Sequence, residues 1–130
     1  QRADAINHLY RKYKKKGVKS QKAIMVHVDS RAKEKRQDVF FYYYDHNVGG
    51  EALAKNVFNT FESKYNQHRK DSEYKGYVDT RGLFMLRKVI PSSVYVELAN
   101  IRNVADHKRI IYDYNRQALA NWLFEGLTKE

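Results

Sequence analysis

Polar and apolar positions change period several times along this chain, and each change marks an element. In residues 1–16, Ala5, Ile6, Leu9, Tyr10 and Tyr13 recur at helical spacing, which predicts a helix with one apolar face and Gly17 as its cap. Residues 23–28, AIMVHV, form a compact apolar run expected to be an interior strand. A charged segment at 31–37 reads as exposed loop, residues 38–44 (DVFFYYY) as a second strand, and 45–50 (DHNVGG) as a turn. Residues 51–68 predict the clearest helix, with Ala52, Leu53, Val57, Phe58, Phe61 and Tyr65 as its buried stripe. The polar stretch 70–79 reads as loop, and 83–89 as a third strand. Pro91 has no N–H for a ladder and suits the first position of a fourth strand, which Val94, Tyr95, Val96 and Leu98 continue as a run buried on both faces. A last helix is expected over 103–125, with Ile110, Ile111, Ala118, Leu119, Trp122 and Leu123 turned inward and a possible interruption at 112–115.

Strands alternating with helices predict an α/β fold: a mostly parallel or mixed sheet of about four strands, flanked by helices. The 130 residues suit one domain with its own core. No apolar run is long enough to span a membrane, so no transmembrane segment is expected. The chain starts at Gln1 rather than Met and shows no signal peptide, which reads as a processed or cut piece of a longer protein. Cysteine is absent, so any metal would need histidine and carboxylate ligands.

Charge changes the picture in one place. The formal net charge is +10, and much of it lies in 11–22, RKYKKKGVKSQK. Such a run either is a solvated helix end or attracts an anionic polymer: nucleic acid, an acidic membrane or a negatively charged cell wall. Nucleic-acid binding would need stacking aromatics on the same exposed face, and Tyr10 and Tyr13 fall on the apolar stripe instead. No nucleic-acid partner is therefore expected.

Two side chains are candidates for chemistry. Glu97 sits inside an apolar strand, where an ionised carboxylate is costly unless paired, hydrogen-bonded or metal-bound. Either it pairs with an arginine such as Arg81 or Arg102, or the strand end opens into a cleft and Glu97 is tuned for proton transfer. His27 ends the first strand, the rim where open α/β sheets bind ligands. It is either a metal ligand or a histidine satisfied by backbone. His46 has no partner at metal-ligand spacing and reads as a surface residue.

Together these segments resemble the zinc-dependent N-acetylmuramoyl-L-alanine amidases of the amidase-3 type. Arg2 and Asn7 look like the arginine–asparagine pair on the helix before that family's central strand. IMVHVDS at 24–30 is similar to its "SIHAN" strand end, with His27 at the ligand position. Arg81-Gly82-Leu83 followed by LRKVIPSSVYVEL resembles the "RGL…VLR…PavLvElG" run. Asn103 and Asp106, leading into a long helix, resemble "sNpeD" and the closing helix. The likeness covers nearly the whole chain in the right order.

The resemblance implies a C-terminal portion of an amidase catalytic domain, residues 1–130, lacking the family's N-terminal strands. His27 would be a zinc ligand and Glu97 the catalytic glutamate that handles the proton of the attacking water. The family's other two zinc ligands, a His and a Glu, come from segments not in this chain. The reaction implied is hydrolysis of the amide joining N-acetylmuramic acid to L-alanine in peptidoglycan, in the periplasm or extracellular cell envelope. The sequence departs from the pattern at Met25, Asp29, Ala99 and Asn100. Those departures fit an alternative, a catalytically decayed module that binds peptidoglycan or regulates.

Overall fold

The computed structural model describes residues 1–30, 36–68 and 74–129. Nine elements follow in order: α1 (Arg2–Lys15), β1 (Lys22–Asp29), β2 (Phe40–Tyr43), α2 (Gly50–His68), β3 (Tyr77–Thr80), α3 (Phe84–Lys88), β4 (Ser92–Asn100), α4 (Val104–Ile111) and α5 (Asp113–Thr128). The strands form one sheet in the order β1-β4-β2-β3. β1 and β4 are parallel, β2 and β3 are parallel, and β2 runs antiparallel to β4. The sheet is thus mixed, as the alternation of elements implied.

Helices cover both faces. On one, Val39, Phe41, Val94 and Val96 pack against Leu53, Ala54, Val57 and Phe61 of α2 and Leu119 of α5. Edge-to-face rings extend this layer, with Phe61 between Phe41 at 5.1 Å and Trp122 at 5.6 Å. Gly126 lets α5 approach α2 closely, since a Cβ there would stand 2.8 Å from the Cα of Val57. On the other face, Met25, Phe40 and Tyr42 pack against Ala3 of α1 and against Leu86 and Val89 at α3.

Several expectations are corrected. Residues 83–89 hold α3 rather than a strand, because the buried positions, Leu86 and Val89, are three apart, a helical and not an alternating spacing. The missing strand is β3, inside the stretch read as loop, where Tyr77 and Val78 extend the edge beside β2. The second strand starts at Phe40, because Asp38 takes a left-handed φ of 57° and turns the chain before it. β1 lies at the edge of the described sheet, with Val26 and Val28 exposed, rather than in its interior. In α1 the inward face carries Ala3, Ile6, Asn7 and Tyr10, whereas Ala5, Leu9 and Tyr13 are exposed. Ala52 and Ile111 also face outward. Of the loop expected at 31–37, residues 31–35 lie outside the described residues, and Gln37 is buried. Residues 69–73 likewise lie outside them.

Other expectations hold. Gly17 closes α1 at φ 87°, with its N–H donating to Lys14 O and that of Val18 to Tyr13 O. Pro91 precedes β4 and is buried. The final helix breaks at Tyr112, whose extended backbone separates α4 from α5.

Candidate functional site

β1 and β4 bring His27 and Glu97 together. In their parallel ladder Lys22 pairs with Ser92, and five positions on, His27 pairs with Glu97. Register partners on neighbouring strands present side chains to the same face, with backbones about 4.8 Å apart. That face is the one carrying Met25 and Phe40, covered by α1 and α3. His27 is half-buried and Glu97 is buried, 8% exposed. Immediately beyond them the ladder shifts: Asp29 pairs with Asn100, so two steps along β1 match three along β4. Such a bulge bends the strand and re-aims its side chains, which is why bulges gather beside functional sites.

Aromatic side chains frame the pair. The His27 ring stacks on Tyr95 at 4.3 Å and 16°. Phe40, the register partner of Glu97 on β2, packs on Tyr77 at 4.1 Å. The hydroxyls of Tyr42 and Tyr77 share a 2.9 Å hydrogen bond, and the Arg81 guanidinium lies 5.0 Å over the Tyr42 ring. Burial raises the pKa of the Tyr95 hydroxyl, the negative charge of Glu97 raises it further, and Arg81 works against both. Glu97 and Arg81 therefore act on one hydroxyl, that of the residue stacked on His27. Arg102 lies beyond the strand end, exposed, with its backbone N–H donating to Asn100 Oδ1. His46 is exposed in the turn, as expected.

A buried polar network braces the strand behind Glu97. Gln37 Nε2 donates to the Glu97 carbonyl at 3.1 Å. Arg109 donates to the Leu98 and Asp38 carbonyls and pairs with the carboxylates of Asp38 and Asp106. Asp106 in turn accepts from the backbone N–H groups of Gln37, Asp38 and Asn100. Asn103 caps α4 by accepting from the Asp106 N–H at 3.0 Å. The charges in this network are opposed and hydrogen-bonded, the condition under which buried ions are tolerated.

At the other end of the strand, Asn7 holds α1 against the entry to β4. Its side chain donates to Lys88 O at 2.8 Å and accepts from Ile90 N at 2.7 Å. Asn47 does the same from the turn before α2, donating to Pro91 O and accepting from Ser93 N. The position of Glu97 is therefore set from both ends of β4.

Of the residues singled out from sequence, His27, Glu97 and Arg81 share one region. Sequence reasoning missed the frame made by Tyr42, Tyr77 and Tyr95 and the brace made by Gln37, Asp38 and Arg109. The Asn103–Asp106 spacing, a helix cap with a carboxylate at its third position, is the local signal that marks one corner of that brace. Among the described residues no group of three His, Asp or Glu side chains could hold a metal ion. His27 and Glu97 alone do not complete a zinc site, which takes at least three protein ligands.

The family model described as N-acetylmuramoyl-L-alanine amidase (Amidase_3) matches residues 4–129. A comparison with curated proteins gives no match. Solved structures that resemble this one include an N-acetylmuramoyl-L-alanine amidase from Clostridium difficile 630, at 16% identity and TM-score 0.75, covering 97% of this chain and 61% of that one. AmiC2 of Nostoc punctiforme matches at 23% identity and TM-score 0.67, over 82% of this chain and 55% of its own. The catalytic domain of CwlV from Bacillus (Paenibacillus) polymyxa var. colistinus matches at 14% identity and TM-score 0.69, over 87% and 59%. This chain thus spans between 55% and 61% of those three solved chains.

Proposed function

Since the chain belongs to the N-acetylmuramoyl-L-alanine amidase family, we propose that residues 1–130 are the C-terminal part of a single catalytic domain that hydrolyses the amide between N-acetylmuramic acid and L-alanine in peptidoglycan. The observation that carries this reading is the register of His27 with Glu97 on adjacent parallel strands, beside a bulge and on one face. An amide hydrolase needs a group that takes a proton from the attacking water and delivers one to the leaving nitrogen. Glu97 is suited to both transfers: it is buried, its strand is hydrogen-bonded at both ends, and Phe40 is its register partner on β2. As water adds to the carbonyl carbon, its proton passes to Glu97. As the carbon–nitrogen bond breaks, that proton passes to the departing amine of L-alanine.

His27 is assigned as a zinc ligand of the full-length enzyme, the remaining ligands coming from outside these residues. Zinc held there would polarise the amide carbonyl and lower the pKa of a bound water. A peptidoglycan substrate places the protein in the periplasm or the extracellular cell envelope. Among the described residues, no helix is long and apolar enough to cross a membrane.

The alternative, a decayed peptidoglycan-binding or regulatory module, leans on four departures from the family pattern. Three of these have packing explanations. Met25 is a member of the buried cluster, Ala99 is fully buried, and the fully buried Asn100 gives its N–H to Asp106. These residues face the interior, so their identity bears on the core more than on a substrate.

The test is release of stem peptide from a soluble muropeptide by the full-length protein, with and without a chelator. Chelator-sensitive release supports an amidase. Retention of the protein on cell-wall sacculi with no release would establish the binding module instead. For the 130-residue chain alone, calorimetry should show weak zinc binding or none, and tight stoichiometric binding would overturn the partial-site assignment.

A further inference from the structure

The end of α1 that points away from the candidate site carries an unbalanced charge. Residues 11–22 hold seven cations and no anion. Residues 11–20 are all exposed. His8, Arg11, Lys12, Lys15 and Lys16 lie side by side, at the i, i+3, i+4, i+7 and i+8 spacing of one helix face. From His8 to Lys16 this stripe runs about 12 Å along the axis. None of Arg11, Lys12, Lys14, Lys15, Lys16 and Lys19 pairs with a carboxylate of another described residue. A solvated helix face of a stable domain usually mixes both signs, because like charges at this spacing repel.

Position separates this stripe from His27 and Glu97. Asn7, in the middle of α1, is level with Lys88 and Ile90, just before β4 begins. The chain beyond Asn7 projects past that rim, reverses at Gly17, and enters β1 at Lys22, whose partner is Ser92. His27 is five residues further, about 17 Å along the strand. The cations thus flank the rim where the strands start, and the candidate chemistry lies towards the rim where they end.

We infer that the outward face of α1 is an anchoring site for a linear phosphodiester polymer of the cell wall, separate from the hydrolytic site. The choice of a wall polymer rests on the peptidoglycan reading; the anchoring of a polyanion rests on the charge and its placement. A row of ammonium and guanidinium groups on a convex helix suits an extended chain of closely spaced phosphates, which it grips by releasing counterions. The aromatic rings nearby do not favour base recognition: Lys12 and Lys16 lie over Tyr13 and Lys14 over Tyr10, each at 5.7 Å. Nor does the stripe suit a bilayer, since the sizeable exposed apolar groups beside it among the described residues are Leu9, Tyr13 and Val18, too few for an interfacial helix.

The test is fluorescence anisotropy of an end-labelled poly(glycerol phosphate) oligomer titrated with the chain, over a range of salt concentrations. The triple variant Lys12→Gln/Lys15→Gln/Lys16→Gln should bind at least about tenfold more weakly, and its slope of log affinity against log salt should fall by about 2. A control variant, Lys55→Gln/Lys108→Gln/Lys129→Gln, removes the same charge elsewhere and should bind nearly as the parent does. Equal weakening in both variants, or no weakening in the first, would overturn the assignment. So would binding of duplex DNA or of anionic vesicles with no binding of the oligomer. None of these readouts needs turnover, so an inactive protein leaves them intact. If the full-length protein is an amidase, the first variant should retain its cleavage of a small soluble muropeptide and lose activity on polymer-bearing sacculi.

Discussion

The two faces of the sheet are built from the same strands but differ in what they bury. Between the sheet and α2 and α5 lies the larger apolar cluster, from Val39 and Phe41 to Leu119, with the Thr60 side chain and the Arg109 guanidinium at its margin. Between the sheet and α1 and α3, the cover is smaller, and the strands carry His27, Tyr95 and Glu97 among the apolar residues. One face holds the fold together. The other leaves room at the strand ends for polar side chains, which are fixed by hydrogen bonds to the backbone at either end of β4. A carboxylate can be kept nearly buried on the thinner face because the structure supporting it is elsewhere.

This contrast can be broken from its sealed side first. Phe61→Ala removes a fully buried ring at the centre of the α2 layer and should cost about 3–5 kcal/mol in chemical denaturation. A cost below about 1 kcal/mol would mean that the α2 face is not the main core. Next comes the brace. Arg109→Ala leaves the buried Asp106 without its cation and Asp38 with Arg36 in place of two arginines, and should cost about 3 kcal/mol, with Arg109→Lys recovering part of it. Full stability in Arg109→Ala would show that the network is dispensable.

Asn7→Ala removes two hydrogen bonds to backbone on the thinner face and should cost about 1–2 kcal/mol. A loss as large as that of Phe61→Ala would contradict the ranking of the faces. The smallest effect is one of pH. Burial raises the pKa of the Tyr65 and Tyr74 hydroxyls well above the ordinary tyrosine value of about 10. A group whose folded pKa is raised contributes stability that is complete below its unfolded value and lost as pH climbs towards its folded one. Denaturation midpoints should therefore fall above about pH 10, and less steeply in Tyr65→Phe. An unchanged slope would place Tyr65 outside the effect.

How far the sequence revealed this arrangement depended on whether a feature is local. The α2 stripe is six residues long at helical spacing, and only Ala52 was misplaced, because a small residue is as common outside a core as in it. The break at Tyr112 and the cap at Gly17 were also legible, since each is set by a few neighbouring residues. β3 and α3 were exchanged because both are short. Tyr77–Thr80 is an edge strand of four residues amid polar ones, and Phe84–Lys88 is a single apolar turn that imitates a strand. His27 and Glu97 stood out as polar groups in apolar strands, but their pairing depends on a register between residues 70 positions apart in sequence. The Asp38–Arg109 pair was invisible for the same reason: its members are 71 residues apart.

The central claim is that Glu97 handles the proton in amide hydrolysis and is held for that purpose rather than for stability. The direct measurement is release of stem peptide from a soluble muropeptide by the full-length protein carrying Glu97→Gln, beside its denaturation midpoint. The account predicts release at least about 100-fold slower than the parent's, with stability within about 1 kcal/mol, because the amide keeps the shape and loses only the proton acceptor. Release at the parent's rate by a folded Glu97→Gln protein would contradict it.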